Sequence, residues 1–241
     1  TFKEVNNIPL YHPEVKTYEV YDNDGSFLAV LYTDFFPRES KGGGAWMTQF
    51  RGQKMVDGKD QRPLVSLVMN FTKPTDTKPS LLTFNEVTTF LHEFGHALHG
   101  MFSKCTYGST SMDGVSRDFV ELPSQFMENY ALEKEWLDTW AVHYQTGEKI
   151  PQEYIDKIKK SSNFQAGYAS DRQLSFGMVD MAWHTITEPV TEPLADFEQR
   201  AMGKTEIMPL VKGSAFSPAF GHIFAGGYAA GYYGYKWAEV L

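Results

Sequence analysis

The sequence predicts an α+β fold that is mostly helical, with a small antiparallel sheet near the N-terminus. Up to residue 71, short segments rich in aromatic and β-branched residues alternate with turn residues, as they do in strands. From residue 83 onward, apolar residues recur at spacings of three and four, which is the period of a helix. No internal repeat, low-complexity tract or linker interrupts the chain, so we expect residues 1–241 to form one domain.

The predicted sheet begins with a hairpin over residues 15–35. Two β-rich segments, 18–21 and 27–32, flank a turn at 22–25 with the sequence Asp-Asn-Asp-Gly. A third strand is expected at 64–71, because this apolar segment lies between two prolines that end regular structure.

The first predicted helix begins at Thr83 and carries a capping box. Glu86 follows three residues later, so that each side chain can accept a hydrogen bond from the backbone N–H of the other residue. The apolar positions 87, 90, 91, 94 and 98 continue one face of this helix. Further helices are predicted over 124–145, 152–161, 164–187, 193–203 and 227–241, and a loop over 204–226.

Charge and composition exclude several classes of partner. The chain has 22 Lys and Arg against 30 Asp and Glu, a formal net charge of −8. Nucleic acids and anionic membranes attract clustered positive charge, so we predict neither as a partner. The longest apolar runs are far shorter than the roughly 20 residues that span a bilayer. The single cysteine, Cys105, cannot form an internal disulfide and is expected to be a packing residue.

The chemistry of the sequence is concentrated in His92-Glu93-Phe94-Gly95-His96, on the first predicted helix. Histidines at i and i+4 lie about one turn apart on one face, so both can bind a single metal ion. Glu93 lies beside that ion, where a general base can take a proton from an attacking water. The alternative is a pair of core histidines, but buried imidazoles need partners, which a metal provides. We therefore predict one zinc ion.

A catalytic zinc needs a third protein ligand, and we predict Glu121. It lies 25 residues after His96, an interval that can hold a helix end, a loop and a return helix. The competing candidate, His99, lies about 10 Å along the helix from His92 and is expected to pack or to support a ligand. Asp118 and Glu128 are expected either to accept a hydrogen bond from a metal ligand or to take an exposed or helix-capping position. Gln125, four residues after Glu121, could also form a hydrogen bond with a ligand.

Small residues alternate with tyrosines over residues 222–235. Tyr228, Tyr232 and Tyr235 recur at spacings of four and three, which would place three hydroxyls on one face of the predicted helix 227–241. Such hydroxyls can donate hydrogen bonds to a peptide carbonyl or to the oxyanion formed from it. An aromatic face packed in a core is the alternative, and the zinc motif upstream favours the first interpretation.

Three motifs occur in a fixed order along the chain. They are His-Glu-Phe-Gly-His-Ala-Leu-His at 92–99, Arg-Asp-Phe-Val-Glu-Leu-Pro-Ser-Gln at 117–125, and the stretch 222–235. Together they resemble the thimet oligopeptidase and peptidyl-dipeptidase family of zinc metallopeptidases, most closely its bacterial peptidyl-dipeptidase branch. The resemblance covers essentially the whole chain. It implies a zincin-like metallopeptidase catalytic core, with residues 1–241 as a fragment of a longer, largely helical protein.

The resemblance also implies a role for each candidate residue. Three residues would bind the zinc ion: His92, His96 and Glu121. Glu93 would act as the catalytic base and proton shuttle. Three residues would be catalytic by contacting the transition state: His222, Tyr232 and Tyr235. Tyr228 would bind substrate. Apart from the resemblance, recognition of a free C-terminus needs a donor to the terminal carboxylate, and Arg117, His222 or a tyrosine could serve as this substrate-binding group; an ordinary surface ion pair is the alternative for the arginine.

We therefore expect zinc-dependent hydrolysis of short peptides, with release of C-terminal dipeptides. Two alternatives stay open: internal cleavage by an oligopeptidase of the same family, and a truncated fragment that binds zinc and peptide without efficient turnover. The chain starts without Met and stops inside a predicted helix, which also indicates a fragment. We predict a monomer located in the cytoplasm, with export left open because the native N-terminus is not identified.

Overall fold

The computed structural model describes residues 1–208 and 211–241. Pro209 and Leu210, which belong to the predicted loop 204–226, lie outside the described residues. The chain divides into two compact units. Unit 1 comprises residues 1–116 and 122–150, and unit 2 comprises residues 117–121 and 151–241.

Unit 1 is built on a five-stranded mixed sheet with the spatial order β1-β2-β3-β7-β4. The strands are β1 (Phe2–Val5), β2 (Lys16–Tyr21), β3 (Phe27–Asp34), β4 (Trp46–Arg51) and β7 (Leu64–Val68). A separate antiparallel hairpin is formed by β5 (Lys54–Val56) and β6 (Lys59–Gln61). The predicted hairpin is confirmed by the antiparallel pair β2 and β3, and the predicted third strand by β7.

The prediction of a purely antiparallel sheet is wrong, because β3 and β7 pair in parallel. Between β3 and β7 the chain forms β4 and then the β5–β6 hairpin. β4 lies at the edge of the sheet and is antiparallel to β7, and β7 runs in the same direction as β3.

The helix that carries the histidine motif, α1 (Phe84–Phe102), begins at the predicted capping box. Thr83 accepts a hydrogen bond from the Glu86 N–H, and the Glu86 carboxylate accepts one from the Thr83 N–H at 2.7 Å. Aromatic and aliphatic side chains of α1, including Phe90 and Phe94, pack against the buried residues of β3 and β7. His92 and His96 follow these two positions by two residues, about 200° round the helix, so they point away from the sheet.

A second helix, α2 (Leu122–Glu128), packs directly on α1 at Gly95. A Cβ atom added to Gly95 would lie 2.4 Å from the carbonyl oxygen of Pro123 and 2.6 Å from the Cα atom of Ser124. Only glycine permits this approach of two backbones. The start of α2 is thereby brought to the helix that carries the two histidines.

The predicted helix 124–145 is wrong in its second half. After α2 the chain forms a 3₁₀ turn over Asn129–Leu132 and the short α3 (Lys134–Leu137). An antiparallel bridge between Val142 and Lys149 then encloses a turn, in which Gly147 has a φ of +72°. A right-handed helix cannot pass through that conformation.

Unit 2 is helical, and three of its predicted helices are confirmed within a few residues: α4 (Gln152–Ser161), α5 (Ala166–His184) and α6 (Leu194–Met202). Phe176 and Val179 of α5 pack with Met202 of α6 in its core. Two short helices follow, α7 (Gly221–Phe224) and α8 (Gly234–Val240).

The predicted helix 227–241 is wrong over its first seven residues. Residues 227–233 form turns, in which Gly227 has a φ of +81° and Ala230 a φ of +52°. These left-handed conformations interrupt a right-handed helix, so regular structure begins only at Gly234. Among the described residues, no helix combines the length and the apolar content that crossing a bilayer requires.

The contact at Gly95 leads to a test with a matched control. We expect Gly95→Ala to lower the free energy of unfolding by about 1 to 3 kcal/mol, because the added methyl group overpacks the two backbones. Gly177→Ala, also inside a helix, would place its Cβ 3.9 Å from the nearest atom, so it should be neutral or raise stability by up to about 1 kcal/mol. Urea unfolding measures both. Equal effects of the two substitutions would contradict the proposed close contact.

Candidate active site

His92, His96 and Glu121 come together in the structure. Each offers one potential ligand atom, and these atoms all lie within 4.8 Å of one another. The two imidazole rings have centroids 5.0 Å apart and are nearly perpendicular, at 84°, so they do not stack on each other. His96 and Glu121 are buried. Two imidazole nitrogens and one carboxylate oxygen form the ligand set of a zinc site that keeps one position open, so these residues fit a catalytic zinc ion.

A carboxylate holds the ring of His92 in place. Nδ1 of His92 lies 2.6 Å from Oε1 of Glu128, the last residue of α2. This contact fixes the orientation of the imidazole and makes Nε2 the candidate ligand nitrogen, an arrangement that is common for metal-binding histidines. The contact of Glu128 with His92 agrees with the first role that the sequence left open for Glu128, a hydrogen bond to a candidate ligand.

Two further residues of α1 differ in their relation to the cluster. Glu93 is 8% exposed, so its carboxylate is buried next to His92 along the chain. His99 lies outside the cluster. Burial, followed by the effect of His96, lowers the pKa of His99, which favours a neutral packing imidazole.

Tyr228 and Tyr235 are associated with Glu121. The hydroxyl of Tyr228 donates a hydrogen bond to Oε1 of Glu121. The rings of the two tyrosines stack, with centroids 5.3 Å apart and an angle of 21°. Burial and the charge of Glu121 raise the pKa of both hydroxyls above the ordinary value. Both tyrosines are therefore neutral hydrogen-bond donors at neutral pH.

The prediction that three tyrosines share one helix face is wrong, since only Tyr235 lies in α8. Tyr232 belongs to the turns before α8, where its ring is buried and its hydroxyl donates to Gln173 at 3.4 Å. His222 lies in α7, and its ring centroid is 5.9 Å from those of both Tyr228 and Tyr232. His222, Tyr228 and Tyr232 therefore lie close together, although they do not share one helix.

Arg117 lies against Tyr228. Its guanidinium carbon is 5.0 Å from the centre of the Tyr228 ring, a cation–π arrangement. A Cβ added to Gly234 would lie 2.7 Å from the Arg117 carbonyl oxygen, so glycine allows the segment 117–121 to pack closely here. Gly234 therefore permits a close backbone approach that a larger residue would prevent.

Asp180 in α5 belongs to this region but was not predicted from the sequence. Its carboxylate is fully buried and accepts backbone hydrogen bonds from Ala230 and Tyr232, both at 2.9 Å. The available signal was an acidic residue directly after Val179 and one turn after Phe176, on the apolar face of a predicted helix.

Comparison with known proteins places these observations in a family. All residues, 1–241, match the family model described as Peptidase family M3. The dipeptidyl carboxypeptidase of Salmonella typhimurium is 42% identical over 243 residues, which cover 100% of this chain and 35% of that protein. Oligopeptidase A of Escherichia coli is 43% identical over 248 residues, which cover 100% of this chain and 36% of that protein.

A plant protein shows similar coverage. The probable cytosolic oligopeptidase A of Arabidopsis thaliana is 43% identical over 240 residues, which cover 97% of this chain and 34% of that protein. The chain therefore spans about a third of the length of the curated relatives it matches.

Proposed function

Because the chain belongs to peptidase family M3, we propose that it is the catalytic domain of a zinc metallopeptidase that hydrolyses short peptides. The observation that carries this proposal is the convergence of His92, His96 and Glu121 within 4.8 Å. The similarity to a dipeptidyl carboxypeptidase and to oligopeptidase A over the whole chain supports it.

In this proposal, His92, His96 and Glu121 hold the ion. When bound, zinc supplies Lewis acidity, which polarises the scissile carbonyl and lowers the pKa of the attacking water. Glu128 keeps the His92 ring in the orientation that ligation needs. Tyr228 does the same for Glu121 by donating a hydrogen bond to its carboxylate.

Glu93 is the proposed general base and proton shuttle. As a buried carboxylate one residue after a ligand, it takes a proton from the attacking water and later passes it to the leaving amine.

Hydroxyl and imidazole groups of unit 2 are the proposed donors to the oxyanion. Tyr235 is a neutral donor whose pKa is raised by burial, and His222 is an exposed imidazole beside the tyrosines. One well-placed donor typically contributes about 3 to 4 kcal/mol to transition-state stabilisation. Tyr232 is the third proposed donor, since its hydroxyl contact with Gln173 is long at 3.4 Å. Tyr228 also contacts substrate in this proposal.

The finer proposal is release of C-terminal dipeptides. It needs a donor for the terminal carboxylate, and Arg117 supplies an exposed guanidinium beside Tyr228. Internal cleavage is the second candidate, because oligopeptidase A is as similar as the dipeptidyl carboxypeptidase, 43% against 42% identity. A cytoplasmic location and a monomeric state are included in the proposal and rest on the sequence prediction.

Replacing the proposed base tests the reaction. We expect Glu93→Gln to keep bound zinc but to lower kcat by about 100- to 10,000-fold, because the amide cannot accept the proton. Glu135→Gln changes an exposed glutamate of α3 and serves as the matched control, with an unchanged rate. Fluorogenic peptide hydrolysis and zinc analysis are the measurements. Parent-like hydrolysis by Glu93→Gln would show that this residue is not the base.

The identity of the cleaved bond is tested with paired peptides that differ only in a free or an amidated C-terminus. If Arg117 receives the carboxylate, amidation should lower kcat/KM by about tenfold or more, and Arg117→Gln should remove that difference. Mass spectrometry of the products identifies the bond. Equal cleavage of both peptides at an internal bond would contradict dipeptide release and favour the oligopeptidase activity.

A further inference from the structure

Asp180 is a fully buried carboxylate whose two oxygens each accept a backbone N–H from the turns before α8. The Ala230 N–H donates to Oδ1 and the Tyr232 N–H to Oδ2, both at 2.9 Å. Nδ1 of His184, one turn later in α5, lies 2.8 Å from Oδ1. A buried carboxylate needs such partners, and here two of them belong to the segment that carries the tyrosines.

The segment held in this way has an unfavourable backbone conformation. Ala230 has a φ of +52°, a value that residues other than glycine, asparagine and aspartate rarely adopt. A conformation of this kind persists only where surrounding contacts determine it. The two hydrogen bonds to Asp180 come from the backbone of Ala230 and of Tyr232. They therefore hold the turn at the residue with the unfavourable φ.

The turn that Asp180 holds lies between Tyr228 and Tyr235, the two tyrosines associated with Glu121. Tyr228 precedes Ala230 by two residues, and Tyr235 follows Tyr232 by three. Between them, Tyr232 is anchored through its backbone by Asp180 and through its ring, whose centroid lies 4.9 Å from that of Phe220. The stacking of Tyr228 on Tyr235 therefore depends on the path that the chain takes through residues 229–234.

We propose that Asp180 is a positioning residue for peptide hydrolysis, which sets the tyrosine hydroxyls through the backbone of residues 230–232. This inference rests on the proposed function. Asp180 itself contacts neither the peptide nor the ion in this account. It acts because misplacing a transition-state donor by about 1 Å can lower the rate by about a hundredfold.

Unit 2 contains a matched control for a purely structural role. Glu198 in α6 is also fully buried and also accepts two backbone N–H groups, from Phe216 at 2.8 Å and from Ser217 at 2.6 Å. These two amides belong to a different part of the chain. Changing either carboxylate to its amide removes one charge and one acceptor, so both variants should lose stability.

The experiment compares Asp180→Asn with Glu198→Gln, both saturated with zinc. We expect Asp180→Asn to lower kcat by about 10- to 100-fold with KM changed by less than about threefold. Hydrogen exchange at the Ala230 and Tyr232 amides should rise about tenfold or more in this variant. Glu198→Gln should accelerate exchange at Phe216 and Ser217 instead, with kcat within about twofold of the parent.

Three results would overturn the inference: unchanged exchange at Ala230 and Tyr232, an unchanged kcat in Asp180→Asn, or an equal loss of kcat in Glu198→Gln. If Asp180→Asn does not fold, His184→Gln applies the same test, since it removes only the imidazole beside the carboxylate. A parent chain that binds zinc without hydrolysing any peptide contradicts the proposed function alone. Exchange at the two amides, measured without metal, then still decides whether Asp180 holds the turn.

Discussion

At Gly95 the backbones of α1 and α2 approach so closely that a single methyl group would overlap the carbonyl oxygen of Pro123. The site depends on this contact. α1 presents His92 and His96 on the side away from the sheet, and α2 begins one residue after Glu121. The last residue of α2, Glu128, contacts the ring of His92. α2 therefore begins directly after the candidate ligand Glu121, and its last residue orients the candidate ligand His92.

Two buried carboxylates, Glu121 and Asp180, lie in the region of the candidate site, and each accepts hydrogen bonds that stabilise its charge. Glu121 receives the hydroxyl of Tyr228, and Asp180 receives two backbone amides and an imidazole. A buried charge is costly unless such partners surround it. Glu121 also lies with two imidazoles at a distance that one divalent cation can bridge. Its environment thus suits a metal ligand.

Much of the fold followed from local patterns in the sequence. The capping box at Thr83 and the helical period after it predicted α1, and the turn at 22–25 predicted the hairpin of β2 and β3. The strands β1 and β4 were missed, because many of their side chains are exposed and carry little apolar pattern. The parallel pairing of β3 and β7 depends on how the intervening chain returns, which local pattern does not specify.

The candidate site, like the fold, could be predicted from the sequence only in part. His92, His96 and Glu121 could be selected from spacing and residue type, and the structure brings them together. The grouping of Tyr228 with Tyr235 could not be derived correctly, because it arises from left-handed turns at Gly227 and Ala230 rather than from a helix. Asp180 could not be predicted from local pattern, because the backbone amides that it binds lie 50 and 52 residues later in the chain.

Zinc titration of the metal-free chain, combined with X-ray absorption at the zinc edge, determines whether His92, His96 and Glu121 bind an ion. We expect one ion per chain, with nitrogen and oxygen ligands at about 2.0 to 2.2 Å. Binding should be lost in His96→Ala and retained in His99→Ala, since only the first belongs to the cluster. An absence of zinc binding by the folded chain, or equal zinc affinity in the two variants, would contradict the proposed zinc site.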